Sequence, residues 1–154
     1  MPRTPLPIPE GFHNVNSYLV VDGAAEAIDF YSRALGARER YRLPGPGGMI
    51  MHAEVQIGDS VVMLADENPE MGFKSPRALG GSPVGLLAYV DDADAVFERA
   101  IAAGAKEIKP PEDMFWGDRA ATVEDPYGHQ WTIATHVEEL TPEEIGRRAA
   151  AMAG

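Results

Sequence analysis

The sequence contains no cysteine, which excludes disulfides, thiolate zinc sites and a cysteine nucleophile at once. Any metal site would have to come from the four histidines, His13, His52, His129 and His136, and from carboxylates. Long apolar runs are missing too. The longest uninterrupted apolar or glycine stretch, Val84 to Val90, has seven residues, against the ~20 that a membrane-spanning helix needs. Met1 to Phe12 is proline-rich and lacks the apolar segment of a secretory signal. Basic residues are scarce: 13 Lys and Arg face 24 Asp and Glu, a net charge of −11. That charge disfavours nucleic acid and anionic membranes as partners and leaves neutral or cationic small molecules. The expectation is a cytoplasmic protein without a cofactor.

What is present is an ordinary globular composition, 45% hydrophobic and 24% charged over 154 residues, enough for one domain or two small repeated units. Asn14 to Val21 reads as a strand and Ala24 to Leu35 as a helix, its apolar positions recurring at helical spacing before Gly36. Short strands are expected over Arg38 to Leu43, Met51 to Ile57 and Ser60 to Ala65. The glycines and prolines from Pro44 to Gly48 form a turn, since no phosphate-loop pattern is present. After an aperiodic stretch, Glu67 to Pro83, of the kind that serves as linker or lid, the order restarts. Val84 to Val90 is a strand, and Ala93 to Ile101 carries a helical apolar stripe ended by Gly104. Lys106 to Lys109 is a weak strand stopped by Pro110-Pro111. Arg119 to Glu124 and His129 to His136 flank the turn Asp125-Pro126-Tyr127-Gly128. Gly36 and Gly104 lie 68 residues apart and Gly58 and Gly128 lie 70 apart, so strand, helix, strand, strand, strand occurs twice. Module one spans about 13–66, the loop 67–83, module two about 84–137 and a C-terminal helix about 142–151, opened by Thr141 as cap and a capping-box glutamate. Alternation assigns Val61, Met63 and Ala65, and later Trp131, Ile133 and Thr135, to helix-covered faces. Asn16, Tyr18, His52, Glu54, Gln56, Thr132 and His136 fall on the other faces, where a ligand cleft is expected.

The helix A-I-D-F-Y-S-R-A-L-G (Ala27 to Gly36) and V-E-D-P-Y-G-H (Val123 to His129), within two βαβββ modules, resemble the vicinal oxygen chelate superfamily of glyoxalases, bleomycin-resistance proteins and extradiol dioxygenases. More narrowly, Ile50 to Asp66 and Phe115 to Arg119 resemble its phosphonate-operon-associated, PhnB-like branch. The resemblance implies an α+β fold of two βαβββ modules with curved sheets enclosing a cleft, and a homodimer. It places the superfamily's metal-ligand positions on Asn16, on Leu64 or Val62, on Gly85 or Leu87, and on Thr132. None is a credible metal ligand, so no metal is expected.

His52 and Glu54 share a strand face and are the candidate catalytic pair, imidazole and carboxylate suiting general acid/base work. Tyr18 and Asp66 are candidate ligand contacts in the same module. In the other, Phe115 and Trp116 offer aromatic surfaces to a flat or cationic guest, beside Asp118 and Arg119. His13, His129 and His136 read as structural or solvated, and no G-x-S-x-G nucleophile motif occurs. The expected function is metal-independent binding of a small neutral or cationic aromatic compound, such as an antibiotic. The alternatives are a metal-free lyase or isomerase using His52, with Arg119 holding an oxyanion, and an irregular metal site built from His52, Glu54 and His136.

Overall fold

Short β-branched segments bounded by glycine turns form two four-stranded sheets in the computed structural model, which describes residues 3–154. The first two residues of the proline-rich start lie outside the described residues. In the first unit, ending at Gly81, β1 (Tyr18–Val21), α1 (Ala24–Leu35), β2 (Arg38–Pro44), β3 (Ile50–Ile57) and β4 (Ser60–Asp66) precede a single helical turn, α2 (Pro76–Leu79). Its sheet has the order β1-β4-β3-β2, with β1 parallel to β4 and the other pairs antiparallel. The second unit, from Ser82, contains β5 (Gly85–Tyr89), α3 (Ala93–Ala103), β6 (Lys106–Asp113), β7 (Asp118–Glu124), β8 (Gln130–His136) and α4 (Pro142–Ala153). Its order, β5-β8-β7-β6, repeats the first. The α+β fold of two βαβββ modules is therefore the fold of this chain.

Helix α1 exists because Ala24, Ala27, Ile28, Tyr31 and Ala34 make one buried stripe, and Gly36 closes it in the left-handed conformation. Val21, Val55 and Leu64 are fully buried in the same unit, each worth ~1.5–3 kcal/mol relative to exposure. The start of α1 has no cap of its own, since Gly23 precedes it. Asp66, at the far end of β4, supplies one: Oδ1 accepts from the N–H groups of Gly23 (3.1 Å) and Ala24 (2.7 Å), and Oδ2 from that of Ile50 (2.7 Å). In the second unit Thr135 Oγ1 accepts from Ala93 N–H (2.9 Å) and donates to the Val90 carbonyl (2.8 Å). Ala24 and Ala93 are 69 residues apart, as are Asp66 and Thr135, so in both units the last strand holds the start of the helix.

Several expectations change. Met63 lies opposite both Tyr18 and Glu54, so Val61, Met63 and Ala65 share their face, and Val62 and Leu64 turn toward α1. Every residue from Val61 to Ala65 is apolar, which leaves the alternation without a polar mark to fix its parity. Strand β6 does not stop at Pro110-Pro111 but runs through them to Asp113. As the outermost strand of its sheet, with irregular pairing between Glu107 and Glu112, it tolerates the missing N–H groups. The first strand is shorter than expected, beginning at Tyr18. The aperiodic stretch is ordered by a reciprocal bridge between Asn68 and Phe73 (2.8 and 3.0 Å) and by Ser75, which caps α2 and donates to Glu67. Thr141 caps α4 (3.2 Å to Glu144 N), but the Glu144 carboxylate is held by Arg147 and Arg148 rather than completing a capping box. Arg148 also pairs with Glu138 at 3.1 Å, tying α4 to the segment that follows β8. No helix among the described residues is long and apolar enough to cross a membrane.

Candidate functional site

In the first unit the strand register sets Tyr18, Met63, Glu54 and Tyr41 in one row across the sheet, with His52 opposite Leu43 in the next. Tyr18 Oη lies 2.9 Å from His52 Nδ1, and His52 Nε2 lies 3.1 Å from Glu54 Oε2. An imidazole carrying its proton on Nε2 satisfies both contacts, donating to the carboxylate and accepting from the phenol. Arg40 approaches the other Glu54 oxygen at 3.7 Å. The rings of Tyr18 and Tyr41 stand 5.5 and 6.2 Å from the imidazole, both tilted. Each is nearly half exposed, 43% and 48%. Partial burial raises the Tyr18 pKa, which keeps its hydroxyl a donor at neutral pH. The structure thus brings together His52, Glu54 and Tyr18. Arg40 and Tyr41 went unnoticed in the sequence because a bulge between Glu39 and Tyr41 breaks the alternation of β2. Asp66 is not part of this row; three backbone N–H groups occupy both its oxygens.

In the second unit the segment from Phe115 to Arg119 splits between two faces. Asp118 is 3% exposed. Its Oδ2 accepts from the Tyr89 hydroxyl (2.9 Å) and Trp116 Nε1 (3.1 Å), and its Oδ1 contacts His136 Nδ1 (2.8 Å). The opposite ring nitrogen, Nε2, lies 2.8 Å from Glu139. Burial alone would push the Asp118 pKa up, but the bonds from His136, Tyr89 and Trp116 outweigh it and hold it below the usual carboxylate range. The same bond to Asp118, followed by that to Glu139, raises the His136 pKa. An open hollow of about 360 Å³ lies beside this cluster, lined by Tyr89, Val90, Asp91, Thr135 and His136. Arg119 stands opposite Thr135, on the helix side. It binds Asp94 through two bonds (2.7 and 3.0 Å) and Asp113 through one (3.2 Å), which raises its pKa further. Asp118 and Arg119 therefore face opposite sides of β7. Phe115 and Trp116 meet edge to face, 5.0 Å apart. Gly117 between Trp116 and Asp118 adopts φ +101°, and its carbonyl accepts from the N–H groups of both Val137 and Glu138. The signal for Tyr89 and His136 as partners of Asp118 was pairing, since Asp118 is directly opposite His136. A single strand read by itself does not show it.

Two modules of this topology, each with one helix on one face of a four-stranded sheet, are matched by one sequence family. Residues 11–133 match the Glyoxalase/Bleomycin resistance protein/Dioxygenase superfamily. The chain belongs to this superfamily. It is 47% identical over 134 residues to an uncharacterized protein of Mycobacterium tuberculosis, the match covering 85% of this chain and 79% of that one. Among solved structures it is similar to TioX from Micromonospora sp. ML1, with a TM-score of 0.63 and 29% identity over 84% of this chain and 100% of the other. It is also similar to the At5g48480 gene product of Arabidopsis thaliana, with a TM-score of 0.67 and 27% identity over 80% of this chain and 98% of that one.

The metal-ligand positions that the resemblance implies do not carry the donors metal-dependent chemistry requires. The Asn16 side chain is spent on the backbone of His13, accepting from its N–H (2.9 Å) and donating to its carbonyl (2.7 Å). Leu64 is buried on the α1 side, Gly85 has no side chain, and Thr132 brings only a hydroxyl. A divalent transition metal needs several imidazole, carboxylate or thiolate donors, so these four residues do not fit one. Among the described residues no group of three or more His, Asp or Glu is placed to hold a metal ion.

Proposed function

We propose that this superfamily member binds a small neutral or cationic aromatic molecule without a transition metal, an antibiotic held in sequestration being one such guest. The observation that carries the reading is the pair of half-exposed tyrosine rings, Tyr18 and Tyr41, flanking a histidine held at both ring nitrogens. Each ring stacked on a guest is worth ~0.5–1.5 kcal/mol beyond its buried area. A cationic guest gains a further ~0.5–2 kcal/mol from a ring face, and the net charge of −11 favours its approach. Trp116, 39% exposed, offers a stacking surface in the second unit. Titration of EDTA-treated protein with neutral and cationic aromatic compounds, bleomycin among them, tests this by tyrosine and tryptophan fluorescence. Saturable binding that Tyr18→Ala and Tyr41→Ala each weaken about tenfold, the equivalent of ~1.4 kcal/mol, supports the reading. Binding that requires added Zn, Ni, Mn or Fe defeats it.

The Tyr18–His52–Glu54 hydrogen-bond chain favours a second reading, a metal-free isomerase or lyase with His52 as general acid/base. Turnover of carbonyl compounds with a bell-shaped pH profile, lost in His52→Ala, would select it over sequestration. The sequence stretches Ile50 to Asp66 and Phe115 to Arg119 support placing the chain in the PhnB-like branch. A homodimer in the cytoplasm completes the proposal, and sedimentation of the purified protein tests the dimer.

A further inference from the structure

We propose that the first unit holds a second small-molecule site, bordering the Tyr18–His52 face at Ala65: a methionine-lined hollow that takes a neutral aromatic molecule about the size of indole. The hollow measures about 300 Å³ and is lined chiefly by Pro46, Met49, Met51, Met71, Phe73 and Asp66, a volume at the lower end of small-molecule sites. Met51 precedes His52 on β3 and so points to the other side of the strand, while Ala65, which shares the face of Tyr18 and Glu54, marks the border between the hollow and that face.

Three features make it a site rather than an accident of packing. The first is exposure: Met51, Met71 and Phe73 are 50%, 70% and 43% exposed around one concavity, whereas large apolar side chains gathered on a surface mark a place where something binds. The second is charge. Among the described residues of the lining Asp66 is the only ionisable one, and its two oxygens are taken up by three backbone N–H groups. With that carboxylate already matched by N–H groups and Asn68 the other polar side chain among the described lining residues, a neutral guest loses least solvation on entry. The third is a fixed frame with adaptable walls. One side is closed by the reciprocal Asn68–Phe73 bridge, the other by the bond from Gly45 N–H to the Met49 carbonyl (2.8 Å). Gly45 leaves room for Met51, because a Cβ at that position would lie 2.5 Å from Met51 Cγ. Thioether side chains on this frame reshape around a ring and make favourable sulfur–aromatic contacts. The aperiodic stretch after β4, which the proposed function leaves unused, thereby acquires a role as one wall of the hollow.

The test uses the full chain with methyl-labelled methionine, which gives seven reporters, assigned by single Met→Leu variants, and indole as the probe. The Met49, Met51 and Met71 methyl signals should shift along one saturable isotherm while Met63, in the row of Tyr18 and Glu54, stays in place. Met71→Glu, at an exposed position, should weaken binding at least tenfold with the Met63 and Met114 signals unmoved as a check on folding, and Met71→Leu should retain it. Indifference of all three signals to indole would overturn the proposal. So would shifts of Met63 instead, which would place the guest on the tyrosine face. Shifts of the three pocket methyls on dilution without indole would also overturn it, since the hollow would then be covered by a second copy of the chain. Failure here leaves the tyrosine-face reading intact, because that reading is followed by tyrosine and tryptophan fluorescence and by the Tyr18→Ala and Tyr41→Ala variants.

Discussion

Replacing Asp66 by alanine removes three contacts made by one carboxylate, and the structure allows the loss to be apportioned. Two of its hydrogen bonds cap α1, and a lost side-chain cap costs ~1 kcal/mol. The third satisfies the N–H of Ile50, a residue 3% exposed, and stranding a buried donor costs ~1–3 kcal/mol. The negative charge at a helix N-terminus adds ~0.3–1 kcal/mol. Asp66→Ala should therefore lose about 4 kcal/mol, a fall of roughly 10 °C in melting temperature for a chain of this size. Thr135→Ala, which removes the equivalent contact from α3 in the second unit, should lose only ~1 kcal/mol, because Asp92 still caps that helix through Ala95 N–H. Asp66→Asn should fall between, since its amide sets an N–H against a backbone donor. Urea and thermal denaturation of the three variants measure the series. A melting temperature for Asp66→Ala no lower than that of Thr135→Ala would refute the reasoning.

Three further outcomes are expected. The raised His136 pKa contributes stability that is complete below about pH 6.5 and fades as pH rises through the folded-state value, while the lowered Asp118 pKa contributes stability present above about pH 4 and lost in acid. The urea midpoint of the wild type should thus exceed that of His136→Gln by more at pH 5.5 than at pH 9, and an equal difference at both would count against the Asp118–His136 bond. Gly117→Ala should destabilise by at least ~1–3 kcal/mol, because φ is +101° and the new Cβ would lie 2.5 Å from the Glu138 carbonyl oxygen; Gly85→Ala, with open space and no positive φ, should melt like the wild type. Tyr41→Phe should bind an aromatic guest as well as wild type, since its ring and not its hydroxyl flanks His52, and a loss on titration would assign the hydroxyl a contact of its own.

The fold was readable wherever local rules decided it. Gly36 and Gly104 end the helices as expected, Thr141 caps α4, and the two βαβββ modules follow from the order of elements. What stayed hidden depended on pairing between strands. The parity of β4 could not be read from five consecutive apolar residues, and it decides that Met63 rather than Leu64 stands beside Glu54. The cap on α1 comes from a residue 42 positions away, which no helix-start rule can see. At the site, His52 with Glu54 was visible as alternation on one strand. Tyr41, brought in by a bulge, and Tyr89 with His136, brought in by register, were not. Asp118 and Arg119 look like an acid–base pair because they are adjacent, yet adjacency on a strand places them on opposite faces.

Strand β6 carries Pro110 and Pro111 at the outer limit of its sheet. Those two residues present no N–H to a passing strand, so over that length the sheet cannot be extended by another chain. In the first unit the outermost β2 achieves a similar result with charge, through Arg38, Glu39, Arg40 and Arg42. Aggregation by strand addition is thereby discouraged at one edge of each sheet by different means, covalent in one unit and electrostatic in the other. Pro110→Val with Pro111→Thr should leave the fold in place while making the protein prone to fibrils at high concentration. Thioflavin fluorescence would register that change, and an unchanged lag time would show the prolines to be incidental.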